Sequence, residues 1–318
     1  IIYYYSPCQY FFFIDKFLSE IRYRKIYKQA VIDYINKSGK PSLSHLHVTM
    51  KAGVIAFWLK REKGVPYVIS EHWTGLLKEA DDKVNDQPFY IKLLWRKIVT
   101  GARAFSTVSE YLANAVRSQF KVRNLTVIPN VVDTSIFNPL IVVQDSTEFI
   151  HISNLEKFKN PAAIISALAL VEKKYPSVTL NIFGSENKQL KMLTEKLQLE
   201  KNIQFHNEIP QFQLAGHIRK SVALILYSAY ETFGCVIIEA NACGIPVIVS
   251  DIPVFHETVT EGVNGVFVQS NNPEALAQKM IGIIENKPSF NAKEIAAESS
   301  KYSYEKVGKQ FSDWYDEV

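Results

Sequence analysis

The feature that constrains the fold most is a regular alternation of short apolar runs with longer amphipathic ones. Apolar runs occur at 67–70, 104–108, 148–153, 178–183 and 222–227, and stretches with helical periodicity separate them. Strands that alternate with helices of about ten to fifteen residues are joined by right-handed crossovers, which place them in parallel sheets with helices on both faces. The sequence therefore predicts an α/β protein.

The alternation is interrupted once, which indicates two domains. Residues 129–147 are rich in Pro, Asn and Asp and show no strong periodicity. We expect one domain over 1–137, completed by the amphipathic, aromatic segment 303–318, and a second domain over 147–302. Open parallel sheets bind ligands beyond the carboxyl ends of their strands, so the sequence predicts a ligand site in a cleft between the two halves.

The bulk composition excludes several classes of protein. Hydrophobic residues make up 47% of the chain and charged residues 21%, which is typical of a folded protein and not of a disordered one. No run approaches the roughly 20 apolar residues of a membrane-spanning helix, and no secretory signal is visible. Three cysteines, Cys8, Cys235 and Cys243, favour a reducing compartment, with each expected to be a small buried side chain. We therefore predict a cytoplasmic protein.

Charge is distributed unevenly along the chain. Residues 1–140 carry 20 Lys and Arg against 11 Asp and Glu, whereas the remainder carries 16 against 21. A basic half suits an anionic partner, such as a phospholipid surface or a lipid-linked diphosphate sugar. The alternative is that these lysines only solvate helix faces. Peripheral membrane contact through the basic, aromatic segment 10–30 is one hypothesis, and nothing in the sequence predicts a nucleic-acid partner.

The most informative stretch is 227–250, YSAYETFGCVIIEANACGIPVIVS. Glu231 and Glu239 flank a predicted strand-to-helix turn that contains Phe233 and Gly234. Glycine lets the backbone approach a ligand closely, and the free amides at the start of the helix suit a phosphate. The two carboxylates can accept hydrogen bonds from sugar hydroxyls.

This stretch resembles the family 4, or group 1, glycosyltransferases, whose fold is called GT-B. Their signature is E-x-F-G-x-x-x-x-E followed by A-x-A-C/S-G-x-P-V-I. The resemblance extends over segments 45–74, 107–110 and 127–133. It implies two Rossmann-like parallel-sheet domains that face a cleft, with the C-terminal helix crossing back to the N-terminal domain. It also implies an earlier strand and glycine-rich loop before Ile1, so the sequence is expected to be a fragment.

The resemblance also implies roles for individual residues around the motif. Glu231 would contact hydroxyls of the donor sugar, and Glu239 would contact the ribose hydroxyls of the nucleotide. The sugar-phosphate pocket would be lined by Thr232, Phe233 and Gly234.

Outside the motif, the resemblance implies further contacts to the donor. Lys159 would neutralise the diphosphate leaving group, and a cation beside accumulating negative charge stabilises the transition state. His72 would face the donor sugar, through its ring or its backbone carbonyl. Asn154 stands where the family usually has an arginine, so it offers a hydrogen bond but no charge, and Gly184 begins the next phosphate loop.

The expected function is transfer of a hexose-type residue from a UDP- or GDP-sugar to a saccharide or lipid-linked acceptor, with retention at the anomeric carbon. No metal is expected, because Lys159 and helix amides would take its place, and His45 and His47 have no third ligand nearby in sequence. No cofactor besides the nucleotide-sugar substrate is expected. Two alternatives are a nucleotide-sugar epimerase or phosphorylase on the same fold, and a truncated, non-catalytic nucleotide-sugar-binding module.

Overall fold

A computed structural model of the chain describes residues 12–122, 124–139, 146–286 and 289–318. Within these residues the strands form two sheets, one of four strands and one of six, and the paired strands run parallel, which confirms the predicted α/β class. Among the residues described, every helix is too short or too polar to cross a membrane. The predicted strand at 1–5, Cys8, and residues 10 and 11 of the basic segment lie outside the described residues.

The chain divides into two compact units. The first comprises 1–73, 84–107 and 116–126, and the second comprises 74–83, 108–115 and 127–318. The domain boundary predicted between residues 137 and 147 divides the chain at one place along the sequence, whereas these units are defined by contacts in space. The boundary therefore stays a prediction.

In the sheet of the first unit, neighbouring strands follow one another in chain order. They are β1 (Ser44–His47), β2 (Tyr67–Glu71), β3 (Phe105–Thr107) and β4 (Leu125–Val127). The helices are α1 (Phe12–Ser38), α2 (Ala52–Lys63), α3 (Phe89–Gly101) and α4 (Glu110–Gln119), of which α4 begins within the second unit.

β2 is an interior strand of the first sheet, between β1 and β3, and its burial fits this position. All five of its residues are buried, as expected for a strand covered on both faces. The Tyr67 hydroxyl donates to the backbone oxygen of Ile98 at 2.5 Å, which satisfies the one polar group of that side chain. Trp95 of α3 is 1% exposed and stacks on Phe120 with ring centroids 6.0 Å apart. The Tyr67 hydrogen bond thereby fixes α3 over the sheet, and the ring stack fixes it against the residue that follows α4.

The sheet of the second unit has the strand order β10-β9-β8-β5-β6-β7. Its strands are β5 (Glu148–Ile152), β6 (Thr179–Phe183), β7 (Ile203–His206), β8 (Ala223–Leu226), β9 (Val247–Ser250) and β10 (Gly265–Val268). The helices are α5 (Pro161–Glu172), α6 (Lys188–Lys196), α7 (Gln211–Lys220), α8 (Cys235–Ala242), α9 (Pro273–Ile284), α10 (Ala292–Ser299) and α11 (Tyr304–Asp316). The order reverses between β5 and β8, so a crevice opens at their carboxyl ends.

Two details of this unit differ from the sequence prediction. Asn160 precedes Pro161 at the start of α5, a sequence that favours a side-chain cap, but it has a left-handed backbone, φ 50°, and its amide donates to the Tyr227 oxygen at 3.2 Å. The side chain is used to join two loops instead. Helix α10, in a stretch of weak periodicity, was not predicted.

The expectation that every cysteine is buried is wrong for one of them. Cys243 is buried, but Cys235 is exposed. Cys235 is the first residue of α8, and its side chain remains accessible there. Its apolar neighbours in the sequence gave no sign of this.

Candidate functional site

Lys159 and Glu231 meet at the point where the strand order of the second sheet reverses. Lys159 ends a short 3-10 turn after β5, and Glu231 lies in the loop after β8. The Lys159 ammonium donates to Oε1 of Glu231, and the Ser228 hydroxyl donates to the same oxygen at 3.1 Å. The two side chains are only 15% and 9% exposed, so salt screens their pairing much less than it would at an open surface.

The loops that carry this ion pair are tied together by their own residues. The Phe158 and Tyr230 rings stack with centroids 4.6 Å apart and planes 11° apart. The backbone N–H of Ala229 donates to the Phe158 oxygen at 2.7 Å. The Lys159 ammonium also lies 4.9 Å from the centre of the Phe158 ring. Stacking, hydrogen bond and cation–π contact together fix where the ammonium points.

The motif turn is completed by Gly234, which precedes α8 with φ 87°. A Cβ at this position would lie 2.9 Å from Cδ1 of Ile237 and 3.0 Å from Cε1 of Phe255, so glycine is required for space as well as for the backbone angle. The first amides of α8 have no side-chain cap. The Ile237 N–H donates to the Gly234 oxygen at 2.9 Å, so the amides before it are the ones available to an anion at this helix start.

Thr232 and Phe233 are buried within this turn. The Thr232 carbonyl oxygen accepts the Ser109 hydroxyl at 2.7 Å, and Phe233 meets Tyr302 edge to face with ring centroids 5.6 Å apart. Ser109 also receives the N–H of Leu112 and so begins α4. Both residues hold the turn in shape, and their role in lining a sugar-phosphate pocket stays a prediction.

Glu239 lies on α8 with little access to water. Burial raises its pKa to about 7. Within the described residues, no hydrogen bond or ion pair reaches its carboxylate. A half-buried acid without a partner is costly to ionise, so its neighbourhood is suited to a ligand that donates hydrogen bonds.

We expect this carboxylate to make stability depend on pH. Its folded pKa, about 7, exceeds the usual value of 4.5, so the folded chain holds the proton more tightly than the unfolded chain. Stability is therefore greatest below about pH 4.5 as far as this group is concerned, and it falls as pH rises towards 7. Glu239→Gln should remove that slope and stabilise the chain by about 3 kcal/mol at pH 8, measured by urea unfolding. Equal slopes for the two proteins between pH 5 and 8 would contradict it.

Asn154 and Gly184 lie on adjacent loops after β5 and β6. A Cβ on Gly184 would lie 2.2 Å from the Ser153 oxygen, so only glycine permits this approach. Asn154 is exposed, and its Oδ1 accepts the N–H of Glu156 at 3.4 Å. A cavity of about 180 Å³ opens beside them, lined by residues that include Leu155, Gly184, Glu186, Lys191, His206 and Asn207.

His72 belongs to the first unit, where it follows β2. Its Nε2 lies 3.2 Å from Nδ1 of His47. The preceding residue, Glu71, is completely buried, and its carboxylate accepts both the His72 and Trp73 N–H groups at 2.9 Å and the Thr49 N–H at 3.0 Å. In the described part of the chain, no three His, Cys, Asp or Glu side chains come together as metal ligands.

The second unit therefore holds eight of the nine predicted site residues, and the first holds His72. Sequence reasoning missed three groups that shape these surroundings: Ser228, which shares Glu231 with Lys159, the buried Glu71, and the buried His151. For Glu71 and His151 the available signal was a charged or imidazole side chain in an otherwise apolar strand, and Ser228 carried no such signal.

Family models cover most of the chain. The model for glycosyl transferases group 1 matches residues 133–305, and the model for glycosyltransferase family 4 matches residues 8–136. A D-inositol 3-phosphate glycosyltransferase from Nocardiopsis dassonvillei is 26% identical over 78% of this chain and 63% of its own length. One from Arthrobacter sp. is 24% identical over 73% and 60%. The chain thus spans about three fifths of the length of these relatives.

Solved structures show the same fold at low identity. Sucrose-phosphate synthase from Thermosynechococcus elongatus matches with a TM-score of 0.78 and 19% identity, over 92% of this chain and 77% of that one. Anabaena HepE in complex with UDP and glucose matches with a TM-score of 0.76 and 20% identity, over 91% and 81%. The two parallel sheets are those of the GT-B fold, and the chain belongs to the group 1, or family 4, glycosyltransferases.

Proposed function

We propose that the protein transfers a hexose from a UDP- or GDP-sugar to a saccharide or lipid-linked acceptor with retention of the anomeric configuration. The observation that carries the proposal is the nearly buried Lys159–Glu231 pair at the strand-order reversal, beside the uncapped start of α8. A cation, a carboxylate and free helix amides are the groups that a sugar diphosphate needs at one place.

Each part of the donor has a candidate partner in the second unit. The diphosphate takes the ammonium of Lys159 and the first amides of α8, and Asn154 adds a neutral donor. Glu231, released from Lys159, accepts sugar hydroxyls, and Glu239 accepts the ribose hydroxyls. The cavity of about 180 Å³ beside Gly184 is the candidate site for the base. The complexes of Anabaena HepE with UDP and with UDP-glucose favour a UDP-linked donor.

The reaction proceeds on one face of the sugar. The acceptor oxygen forms its bond to the anomeric carbon as the bond to the diphosphate oxygen breaks, and the acceptor proton passes to that departing oxygen. Lys159 stabilises the charge that accumulates on the diphosphate. The Glu231 carboxylate accepts hydrogen bonds from Lys159 and Ser228. We therefore assign it to binding sugar hydroxyls and not to nucleophilic attack on the anomeric carbon. His72 is assigned to the transferred sugar, and no metal takes part.

The first test is calorimetric titration of the chain with UDP and with GDP. We expect one nucleotide to bind, and Glu239→Ala to weaken it by about tenfold or more through loss of charge-assisted hydrogen bonds. Glu195→Ala, an exposed glutamate of α6, is the matched control and should bind as the wild type does. Failure of both nucleotides to bind would reject the donor site. Binding without transfer of a radiolabelled sugar to any glycan or lipid extract would favour a non-catalytic module.

A cytoplasmic protein with peripheral membrane contact completes the proposal. On α1, the cations Arg22, Arg24 and Lys25 are exposed beside Ile21 and Tyr27, which are 48% and 46% exposed. Cations next to apolar side chains favour an anionic lipid surface. Flotation with phosphatidylglycerol vesicles should carry the wild type and leave a variant with these three cations changed to Glu behind; equal flotation would count against contact here.

A further inference from the structure

His151 is a fully buried imidazole at the centre of the second sheet. Its Nδ1 lies 2.8 Å from the Ile225 carbonyl oxygen on β8, and its Nε2 lies 2.8 Å from the Ser153 hydroxyl. Because a carbonyl oxygen only accepts, Nδ1 carries the proton and Nε2 accepts from Ser153. Burial lowers the pKa of this imidazole to about 4, so the ring is neutral and its tautomer is fixed.

Ser153 continues the chain of hydrogen bonds into the loop after β5. Its hydroxyl oxygen accepts the N–H of Leu155 at 3.0 Å, and its own N–H donates to the Phe183 oxygen at 3.1 Å. Leu155 has a left-handed backbone, φ 58°, which is uncommon for a residue with a side chain of this size. The loop therefore turns sharply directly after the strand, with Asn154 at its tip.

A purely structural core position would be filled at lower cost by an apolar side chain. Burying an imidazole requires that both ring nitrogens find partners. Here the two partners lie on different segments, one on β8 and one on the loop that carries Asn154. The ring thus fixes the loop relative to the strand that leads to Glu231.

Asn154 explains why such fixing is needed. It has no charge and a short side chain, so it can reach a diphosphate from few positions, whereas a long arginine tolerates displacement. Its Oδ1 faces the Glu156 N–H, and among the described residues its NH₂ group has no hydrogen-bond partner. An uncharged donor contributes only when its geometry is held.

We propose that His151 and Ser153 form a relay that positions the Asn154 loop for the diphosphate of the nucleotide. The inference rests on the proposed function, because it assigns a task at the same donor site. His151 touches no ligand; it is a positioning residue that acts through Ser153. The ring contributes two hydrogen bonds of fixed direction, and no proton is transferred.

The test compares UDP and GDP affinity, by calorimetry, with thermal stability in a set of variants of the whole chain. His151→Leu and Ser153→Ala each break the relay, and we expect each to weaken nucleotide binding about tenfold, which corresponds to about 1.4 kcal/mol. The double variant should be about as weak as either single one, because the two residues act as one unit. His151→Gln and Ser153→Thr can remake the hydrogen bonds and should stay within about threefold of the wild type.

The control for a merely structural effect is Asn202→Ala. Asn202 is also buried, and its amide donates to the Val178 oxygen at 2.8 Å at the opposite, amino-terminal end of the same sheet. It should lower the melting temperature and leave nucleotide affinity unchanged. The relay is rejected if His151→Leu binds like the wild type, or if affinity follows melting temperature across all variants. A wild type that binds neither nucleotide rejects the proposed function and the relay together.

Discussion

Replacing Lys159 by alanine is expected to lower kcat of sugar transfer by about 10³-fold, close to 4 kcal/mol of transition-state stabilisation. The leaving diphosphate gains negative charge as the bond to the anomeric carbon breaks, and Lys159 supplies the opposing charge. Its side chain is only 15% exposed and is held by Glu231 and the Phe158 ring. Once the donor has separated it from Glu231, the ammonium is still held beside the Phe158 ring and needs no further reorganisation while the bond to the anomeric carbon breaks, so its loss falls mainly on kcat.

Two variants separate this role from bulk charge. Lys157→Ala removes an exposed cation from the same turn and should leave kcat and KM for the donor unchanged. Lys159→Arg keeps the charge but changes its reach, and an intermediate loss is expected. Steady-state kinetics with the donor that binds in calorimetry provides the measurement. A higher KM with unchanged kcat for Lys159→Ala would mean that the lysine stabilises the bound donor and the transition state equally, and would reject the role in leaving-group stabilisation.

Much of the second unit could be predicted from the sequence because its signals are local. The apolar run at 222–227 becomes β8, and the turn that follows needs Gly234 for both its φ of 87° and its space. The pairing of Lys159 with Glu231 could be expected only through the family motif, since 72 residues separate them. The strand order of the sheet then brings both loops to the same edge.

What could not be predicted depends on partners that are distant in sequence. The sequence shows His151 only as a histidine in an apolar strand. Its hydrogen bond to the Ile225 carbonyl, 74 residues away, could not be predicted from it. Asn before Pro favours a local helix cap, but at Asn160 a carbonyl on another loop takes the side-chain amide instead. The exposure of Cys235 could not be predicted, because tertiary contacts decide which face of a helix is buried.

Glu71 should be the most sensitive position for stability in the first unit. Its carboxylate accepts four hydrogen bonds: two from Thr49, through the backbone N–H and the hydroxyl, and one each from the N–H groups of His72 and Trp73. The residue is 0% exposed, and burial raises its pKa while these donors oppose the rise. Glu71→Ala would leave buried donors unpaired, and we expect a loss of about 4 kcal/mol in the free energy of unfolding.

Matched variants test whether the carboxylate, and not its volume, is responsible. In Glu71→Gln the amide oxygen can serve the His72 and Trp73 N–H groups, and the NH₂ group can donate to the Thr49 hydroxyl, so only the Thr49 N–H is left unpaired. A loss of about 2 kcal/mol is expected. Tyr67→Phe removes one neutral hydrogen bond from the other end of β2 and should cost about 1 kcal/mol.

Urea unfolding followed by tryptophan emission suits this comparison, because Trp58, Trp73 and Trp95 lie in the first unit and only Trp314 lies in the second. A Glu71→Ala chain that unfolds within 1 kcal/mol of the wild type would mean that water replaces the carboxylate and pairs with the released donors. The loop that carries His72 would then not depend on Glu71. If the free energy of unfolding is instead lowest for Glu71→Ala, higher for Glu71→Gln and highest of the three for Tyr67→Phe, the loop that carries His72 depends on the hydrogen bonds of the Glu71 side chain.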